Sequence, residues 1–423
     1  MKQLSQIVSL LFLFVLKGHI AYPYDFEVNG IYYDYDSRNQ AAIVTFRSSF
    51  SSDEKYSGNL DVPVSVSYNG RTLPVLSIGN DAFRSCTELE SVSLPFGLTN
   101  IGGNAFNGCT KISKIIIPET VTNIGRNAFE GCTAMSEINI PDNVKYIQEE
   151  TFKGCANLTS VHLPINLSLI DVCAFAGCSQ LQFIRIPAAT TFIEAGAFSG
   201  CEQLETLVFE DSTEKIELRV DYLYGPFYGC KLKAIYFGRP VNSFPYITPC
   251  LDVSQTETIS ICSNFKSSNL FYNCNTLSTI YFFCENPEGT SFSFSNQTYL
   301  NSTLYIPIGT KDRYLGAEGW KSFFNIQEMD VKDMWNGNVQ PTNGDENRIN
   351  QVKTNAVLIQ SNNGTLIISG ADDGTSIEIY ATSGVIVGYA KASSSSTVIS
   401  TGLKNGEIAI VKIGNKSVKV VMK

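Results

Sequence analysis

Histidine and charge are scarce in this sequence. Only two histidines, His19 and His162, occur among 423 residues, so an imidazole-based metal site or active site has almost no residues to use. Charged residues make up 17% of the chain, whereas roughly 25% is ordinary for a soluble domain. The 40 acidic residues outnumber the 31 basic ones, for a net charge of -9. An acidic chain releases few counterions from a phosphate backbone, and we therefore expect no nucleic-acid partner.

A transmembrane span is also missing, because no apolar run approaches the ~20 residues that a spanning helix needs. The apolar stretch Ile7–Leu16 follows Lys2 and precedes small residues at Gly18 and Ala21. This order predicts a signal peptide over residues 1–21, cleaved near Gly18 or Ala21. The sequence thus predicts an exported protein, either secreted or held at the outer cell surface.

Apolar residues are plentiful, at 43% of the chain, and many of them recur every 23 residues. The recurring cysteines are Cys86, Cys109, Cys132, Cys155, Cys178 and Cys201. The phenylalanines in step with them are Phe83, Phe106, Phe129, Phe152, Phe175 and Phe198. The consensus is I-x-x-x-A-F-x-G-C-x-x-L-x-x-I-x-I-P-x-x-V-x-x. This period and its L-x-x-I-x-I core are typical of a leucine-rich-repeat solenoid.

The segment Leu89–Pro95 shows how one repeat works. Val92 and Leu94 point inward from a short strand, and the serines between them point outward. Proline ends the strand because it cannot donate to the ladder. The A-F-x-G-C segment forms the return side, where Phe and Ala fill the core. No turn can bury its apolar face alone, but turns stacked ~4.8 Å apart share one core.

The predicted fold class is therefore a leucine-rich-repeat solenoid with 23-residue repeats and short parallel strands on one face, over residues 78–330. Its later turns are irregular, with recognisable returns at Phe227–Cys230 and Phe271–Cys274. Leu304–Pro307 is predicted to be the last strand. A helical segment over residues 314–324 is predicted to close this end, with Trp320 covering the last turn.

Residues 22–77 are predicted to cap the N-terminal end. Apolar runs flank Asn29-Gly30 and Asn69-Gly70, and Asn-Gly between two such runs is a strong β-hairpin signal. Tyrosines are dense in this region, and they favour a seal over the first turn rather than a platform on which sugars stack. They are Tyr22, Tyr24, Tyr32, Tyr33 and Tyr35.

Residues 331–352 are polar and show no periodicity, which predicts a linker. Short alternating runs separated by turn residues then predict a small antiparallel β-sandwich over residues 353–423. The expected strands are Thr365–Ser369, Ser376–Tyr380, Val385–Tyr389, Glu407–Ile413 and Ser417–Met422.

The units Ile101–Cys109 and Ile124–Cys132, with strand ends at Ile117-Pro118 and Ile140-Pro141, resemble BspA-like leucine-rich repeats. The resemblance covers residues 24–330. It implies a secreted or cell-surface protein of Bacteroides-type bacteria that adheres to host extracellular-matrix proteins or to surface proteins of other bacteria. It brings no catalytic residues with it.

The last 70 or so residues are similar to the C-terminal sorting domains of the type IX secretion system. Gly384-Val385, Gly406–Ile408 and Val418–Val421 carry this likeness. The family usually has an aromatic residue where Ile408 stands. The likeness implies a sorting role for this domain.

The cysteines and His162 are not expected to form a reactive or metal site. Stacked cysteines point the same way, so their side chains do not face each other, and no C-x-x-C motif indicates zinc. Buried thiols are the preferred interpretation. A bridge between off-ladder cysteines such as Cys250 and Cys262 stays open, since an exported protein permits it. We predict no catalytic residue, no metal and no cofactor.

The outward positions of the strands are the candidate binding surface. They vary from repeat to repeat while the inward positions stay apolar, which is typical of a scaffold whose exposed face specialises. The predicted partner-binding residues are Lys114, Glu137, Asn139, His162, Phe183 and Arg185. The outward column through His162 continues to Val208. The alternative is a glycan-binding or carbohydrate-active protein that uses outward aromatics such as Phe183, Tyr236 or Tyr281.

Overall fold

The computed structural model describes residues 24–46, 55–221, 225–243, 251–334 and 358–422. It leaves out 252, 266, 269–270 and 272–273, and the short stretches 363–364, 370–373, 382–385, 393–395, 405–406 and 414–415. These residues form two compact units, one up to Met334 and one from Leu358 onward. The predicted signal peptide, Tyr22, Cys250 and most of the predicted linker lie outside the described residues.

The N-terminal cap is built from hairpins, as the Asn-Gly dipeptides predict. Its strands are β1 (Phe26–Val28), β2 (Ile31–Asp36), β3 (Ala41–Thr45), β4 (Gly58–Asp61), β5 (Ser65–Tyr68) and β6 (Arg71–Ile78). β1 pairs antiparallel with β2 across Asn29-Gly30, where both residues have positive φ, and β5 pairs with β6 in the same way. β3 then pairs parallel with β6, and β4 parallel with the first strand of the solenoid, Leu89–Ser93.

The cap tyrosines close the end of the core. Tyr33 is fully buried, and the Tyr56 hydroxyl accepts from the Tyr32 amide at 2.9 Å and donates to the Thr45 carbonyl at 2.8 Å. The Tyr56 ring meets the first repeat phenylalanine, Phe83, edge-on at 5.0 Å. This packing supports the interpretation of the region as a seal.

The solenoid carries its longer strands on one side, which we call the strand face. They are β7 (Leu89–Ser93), β10 (Glu137–Asn139), β12 (Ser160–His162), β14 (Phe183–Ile186), β16 (Thr206–Phe209), β18 (Ala234–Phe237), β20 (Thr258–Ile261), β22 (Thr279–Phe282), β24 (Thr303–Pro307) and β25 (Asn325–Met329). β10 pairs in parallel with β12, and a longer parallel sheet runs from β14 to β25. The predicted solenoid is confirmed, except that β25 follows the strand predicted to be last.

A second side of each turn also carries strands, which the sequence reasoning did not predict. They are β8 (Asn100–Ile101), β9 (Asn123–Ile124), β11 (Tyr146–Ile147), β13 (Leu169–Ile170), β15 (Phe192–Ile193), β17 (Ile216–Leu218) and β19 (Val241–Ser243), followed by β21 (Ser267–Ser268) and β23 (Ser291–Phe292). β11 to β19 form one parallel sheet. Most of these strands have only two residues, which is too short to show an alternating pattern.

The repeat phenylalanines form one continuous stack inside the return side. Consecutive rings from Phe106 to Phe227 lie 5.1–5.4 Å apart and are parallel to within 8°. The glycine that follows each ring in the consensus takes a positive φ, as at Gly131 with φ 70°. Glycine adopts this conformation at no steric cost, so the chain can turn sharply between the phenylalanine and the cysteine.

Two short helices, α1 (Asn296–Asn301) and α2 (Lys311–Gly316), and a 3-10 turn at Trp320–Ser322 lie in the last turns. Trp320 is buried and stacks on Phe282 at 4.5 Å, and its indole N–H donates to the Thr290 hydroxyl at 2.7 Å. Trp320 therefore lies in the core of the last turns, and β25 follows it in the chain.

The second unit is an antiparallel sandwich with seven described strands. One sheet has the order β26 (Leu358–Asn362), β27 (Thr365–Ser369), β30 (Ser396–Ser400), and the other the order β29 (Ile386–Lys391), β28 (Ser376–Ala381), β31 (Ile408–Ile413), β32 (Lys416–Val421). Both sheets contribute to one core that includes Leu366, Ile379 and Val411. β26 and β30 were not among the five strands expected from the sequence.

Candidate functional site: the strand face

The outward positions on the first half of the strand face are polar and exposed. Lys114, Glu137, Asn139 and His162 are all exposed. Lys114 Nζ and Glu137 Oε1 form an ion pair at 2.5 Å between neighbouring turns. Asn139 lies directly beside His162, because β10 and β12 pair in parallel with this register. These four side chains therefore form one contiguous patch.

Phe183 and Arg185 are half-buried on the next strand, β14. The Arg185 guanidinium lies 5.9 Å from the centre of the Phe183 ring, within range of a cation–π interaction. Its Nη1 is also 4.0 Å from Glu210 Oε1. Each of these contacts limits how freely the arginine can reach toward a partner.

The six predicted residues do not lie on one unbroken sheet. β10 pairs only with β12, and β14 begins the next sheet; within residues 55–221 no ladder joins β12 to β14. Lys114 lies in a stretch, residues 111–117, that forms no strand. The 23-residue repeat still places all six side chains on the same side of the solenoid.

The outward column that contains Asn139, His162 and Arg185 becomes buried after Arg185. Val208, which the sequence places at an outward position, is fully buried, and so is Ser260. Tyr236 is 5% exposed, donates its hydroxyl to Asp211 Oδ1 at 2.6 Å and meets the Phe283 ring edge-on at 6.3 Å. Burial, and then the neighbouring Asp211 carboxylate, raise the pKa of Tyr236. The interpretation of Tyr236 as an exposed aromatic is therefore wrong, because Asp211 and Phe283, which follow strands β16 and β22, pack against its side chain.

His162 is the one histidine among the described residues. His162 is exposed beside Ser160, and no nucleophile-elbow sequence surrounds that serine. Within the described ranges, no group of three or more His, Cys, Asp or Glu side chains is arranged to hold a metal ion. The absence of catalytic residues remains a prediction.

The ladder cysteines lie inside the solenoid and are unpaired. From Cys109 to Cys201, each ladder thiol donates to the carbonyl of the phenylalanine 26 residues earlier, as from Cys109 to Phe83 at 3.0 Å and from Cys155 to Phe129 at 3.2 Å. Burial raises the pKa of both Cys109 and Cys155 to about 12. These thiols therefore stay protonated and act as small core side chains.

Arg239 is a structural residue that sequence reasoning missed. It is fully buried, and its guanidinium donates to the carbonyls of Ala188 at 2.9 Å and Thr190 at 2.8 Å and also to that of Pro187. Burial lowers its pKa to about 10. The only sequence signal was an arginine in an apolar segment, Phe237-Gly238-Arg239-Pro240.

The stacked turns, the phenylalanine column and the cysteine column define a leucine-rich-repeat protein. The chain belongs to the BspA type leucine-rich repeat family, whose profile matches residues 72–182 and 170–301, more than half of the chain. The earlier resemblance to this family is confirmed for the repeats. The likeness of the second unit to sorting domains stays a prediction.

Several solved structures are similar to this chain. A leucine-rich repeat protein from Bacteroides ovatus is 23% identical, over 73% of this chain and 89% of its own, with a TM-score of 0.43. A leucine rich cell surface protein from Faecalibacterium prausnitzii is 19% identical, over 74% of this chain and 97% of its own, with a TM-score of 0.38. The leucine rich repeat protein of T. pallidum is 21% identical, over 60% of this chain and 90% of its own, with a TM-score of 0.33. No curated protein matches the chain.

Proposed function

We propose that this protein is a non-enzymatic recognition protein that binds other proteins through the first half of its strand face. The recognition face consists of Lys114, Glu137, Asn139, His162, Phe183 and Arg185. Its main support is the patch of exposed Glu137, Asn139 and His162 side chains, which two parallel strands hold in fixed register. A rigid sheet keeps such side chains in place before binding, which lowers the entropic cost of association.

The chemistry of the recognition face is that of a protein interface. It combines an aromatic ring, an arginine, an amide and an imidazole with the Lys114–Glu137 ion pair. Aromatic residues and arginine are enriched in interface cores, whereas charges at a rim guide the approach of the partner. We infer that the partner is a host extracellular-matrix protein or a surface protein of another bacterium, and that the role is adhesion.

We propose that the protein is exported and acts in the secreted state or at the outer cell surface. The support is the Lys2 and Ile7–Leu16 pattern of a signal peptide. Among the described residues, no helix has the length and apolar character that a membrane crossing needs. N-terminal sequencing of the native protein should begin between Gly18 and Asp25, and a native chain that starts at Met1 would contradict export by this route. The sandwich is proposed to serve as the sorting domain.

The recognition face is tested by changing His162, Phe183 and Arg185 together to alanine. None of the three side chains belongs to the buried core, so the variant should keep the unfolding midpoint of the parent to within a few degrees. A partner captured from matrix proteins or co-resident bacteria should bind at least about tenfold more weakly, equivalent to ~1.4 kcal/mol.

A matched control changes three exposed residues on or near β9 and β11, Asn123, Arg126 and Tyr146, to alanine. This control variant should bind the partner like the parent. Unchanged affinity of the folded His162/Phe183/Arg185 variant for the partner would refute binding through the recognition face. Equal loss of affinity in this variant and in the control variant would place the binding site elsewhere.

A further inference from the structure

The second half of the strand face carries no charge at its outward positions. The twelve positions are Thr206, Val208, Ala234, Tyr236, Thr258, Ser260, Thr279, Tyr281, Thr303, Tyr305, Asn325 and Gln327, which the parallel registers place in two columns. Eight of them bear hydroxyl groups and two bear amides. The recognition face on the first half, by contrast, includes Lys114, Glu137 and Arg185.

In the column that runs from Val208 to Gln327, the accessible part lies at the far end. Val208, Tyr236 and Ser260 are buried, whereas Tyr281 and Tyr305 are half-exposed and Gln327 is exposed. We call the group Tyr281, Tyr305, Gln327, Thr279, Thr303 and Asn325 the tyrosine platform.

The aromatic rings of the platform are held in a fixed stack. Tyr281 and Tyr305 lie on paired strands with ring centres 5.2 Å apart and planes 21° from parallel. Gln327 follows in the same column on β25. The stack therefore ends at Tyr305, and one face of this ring is bordered by an amide side chain instead of another ring.

Hydrogen-bonding groups line the same platform. Asn325 Nδ2 donates to the Thr303 hydroxyl at 2.8 Å, and Gln327 Nε2 lies 3.5 Å from Asn325 Oδ1. Glu328, which follows Gln327 on β25, is exposed, and its Oε1 accepts from the amides of Thr310 and Lys311 at the start of α2. The platform thus combines aromatic rings, hydroxyls and amides without an exposed charge of its own.

We infer that the tyrosine platform binds a neutral glycan. The C–H groups of a pyranose can pack on the half-exposed outer parts of the Tyr281 and Tyr305 rings, and its hydroxyls can exchange hydrogen bonds with amides and hydroxyls. A charged ligand would lose hydration here without gaining an ion pair, whereas a neutral ligand avoids that cost. The strands recur every ~4.8 Å, which is comparable with the length of a sugar ring, so successive sugars of one chain can lie over successive strands.

This site is separate from the recognition face and does not depend on it. The platform lies on β22, β24 and β25, and the nearest recognition residues, Phe183 and Arg185, lie on β14. Three intervening strands, β16, β18 and β20, carry the buried part of the column. Loss of one site should leave binding at the other unchanged.

The test uses the full mature chain and a panel of neutral oligosaccharides, with gluco-, xylo-, manno- and galacto-configured chains, titrated by calorimetry or ligand-observed NMR. At least one neutral chain should bind, and raising the NaCl concentration should not weaken it, because no ion pair is involved. Tyr305→Ala and Tyr281→Ala should each weaken binding by about tenfold or more, and Tyr305→Phe should keep most of the affinity.

The matched control is Tyr146→Ala, which removes an exposed tyrosine from β11 and should bind like the parent. Three results would overturn the inference: no binding by any neutral chain at millimolar concentration, binding confined to sulfated or sialylated glycans, or unchanged binding in folded Tyr281→Ala and Tyr305→Ala variants. The inference would also be overturned if Tyr305→Ala weakened the binding of a polypeptide and of no glycan.

Discussion

The thiol of Cys132 donates a hydrogen bond to the carbonyl of Phe106, one turn earlier, at 3.2 Å. The same carbonyl also accepts from the amide of Cys109 at 3.0 Å. From Cys109 to Cys201, each ladder thiol thus bonds to the preceding turn, beside the ring stack. This contact links the recurring cysteine of one turn to the recurring phenylalanine of the turn before it.

We expect the ladder thiols to resist alkylation in the folded protein. The thiolate is the reactive species, and burial raises the pKa of Cys132 well above its ordinary range. Mass spectrometry after iodoacetamide treatment should find Cys109, Cys132 and Cys155 unmodified before unfolding and modified after it. Disulfides between Cys109 and Cys132, or between Cys132 and Cys155, would refute this prediction.

Cys132→Ser should lower the free energy of unfolding by roughly 1–3 kcal/mol, because the shorter C–O bond draws the donor back from the Phe106 carbonyl and leaves a hydroxyl in a buried, largely apolar column. Denaturant unfolding followed by circular dichroism measures the change. Cys173→Ser is the control, because Cys173 is half-exposed and lies off the ladder. Equal stability of the Cys132 variant and the parent would show that the column tolerates a hydroxyl.

Phe129→Ala should be among the most destabilising single substitutions in the solenoid. The ring is fully buried between Phe106 and Phe152, at 5.2 and 5.4 Å. Its removal opens a cavity and breaks the stack, at a cost of about 3–5 kcal/mol. Phe96→Ala, at a ring that is 55% exposed, should change stability by less than about 0.5 kcal/mol. Similar effects of the two substitutions in denaturant unfolding would contradict the core role of the stack.

The regular repeat explains how much of the fold was predictable. A strict 23-residue period fixes which side chains stack, so the phenylalanine and cysteine columns and the exposure of Asn139 and His162 follow from the sequence. Two-residue strands such as Tyr146–Ile147 carry no such pattern. The burial of Tyr236 depends on contacts with Asp211 and Phe283, which follow strands β16 and β22 outside the regular repeat, and spacing alone does not predict these contacts.

Glu150 should make the solenoid sensitive to acid. A hydrogen bond from Lys153 at 2.5 Å, followed by one from Asn127 at 2.7 Å, lowers the pKa of the Glu150 carboxyl. Because the folded-state pKa is below the unfolded one, this stabilisation is present above the ordinary pKa of glutamate and is lost as the pH falls through the folded value. Glu150→Gln should therefore unfold at a lower temperature than the parent near neutral pH, and the difference should shrink as the pH falls below ~4.3. A difference independent of pH would contradict the assignment.

Arg239 should stabilise the junction between the regular and the irregular turns. Its buried guanidinium reaches back about fifty residues along the chain to the carbonyls of Ala188 and Thr190, as the sequence separations of 51 and 49 residues show. Arg239→Met keeps most of the apolar volume but leaves these buried acceptors without their donor, which should lower the free energy of unfolding by about 3 kcal/mol.

Arg239→Lys tests whether a positive charge at this position is sufficient to stabilise the junction. Lysine lacks the planar fork that reaches several carbonyls at once, so it should recover only part of the lost stability. Arg219→Met provides the surface control, because Arg219 is exposed and pairs with Glu194 at 2.7 Å; it should cost no more than about 1 kcal/mol. Denaturant unfolding of the three variants and the parent measures these changes. Equal stability of Arg239→Met and Arg219→Met would refute the role of Arg239.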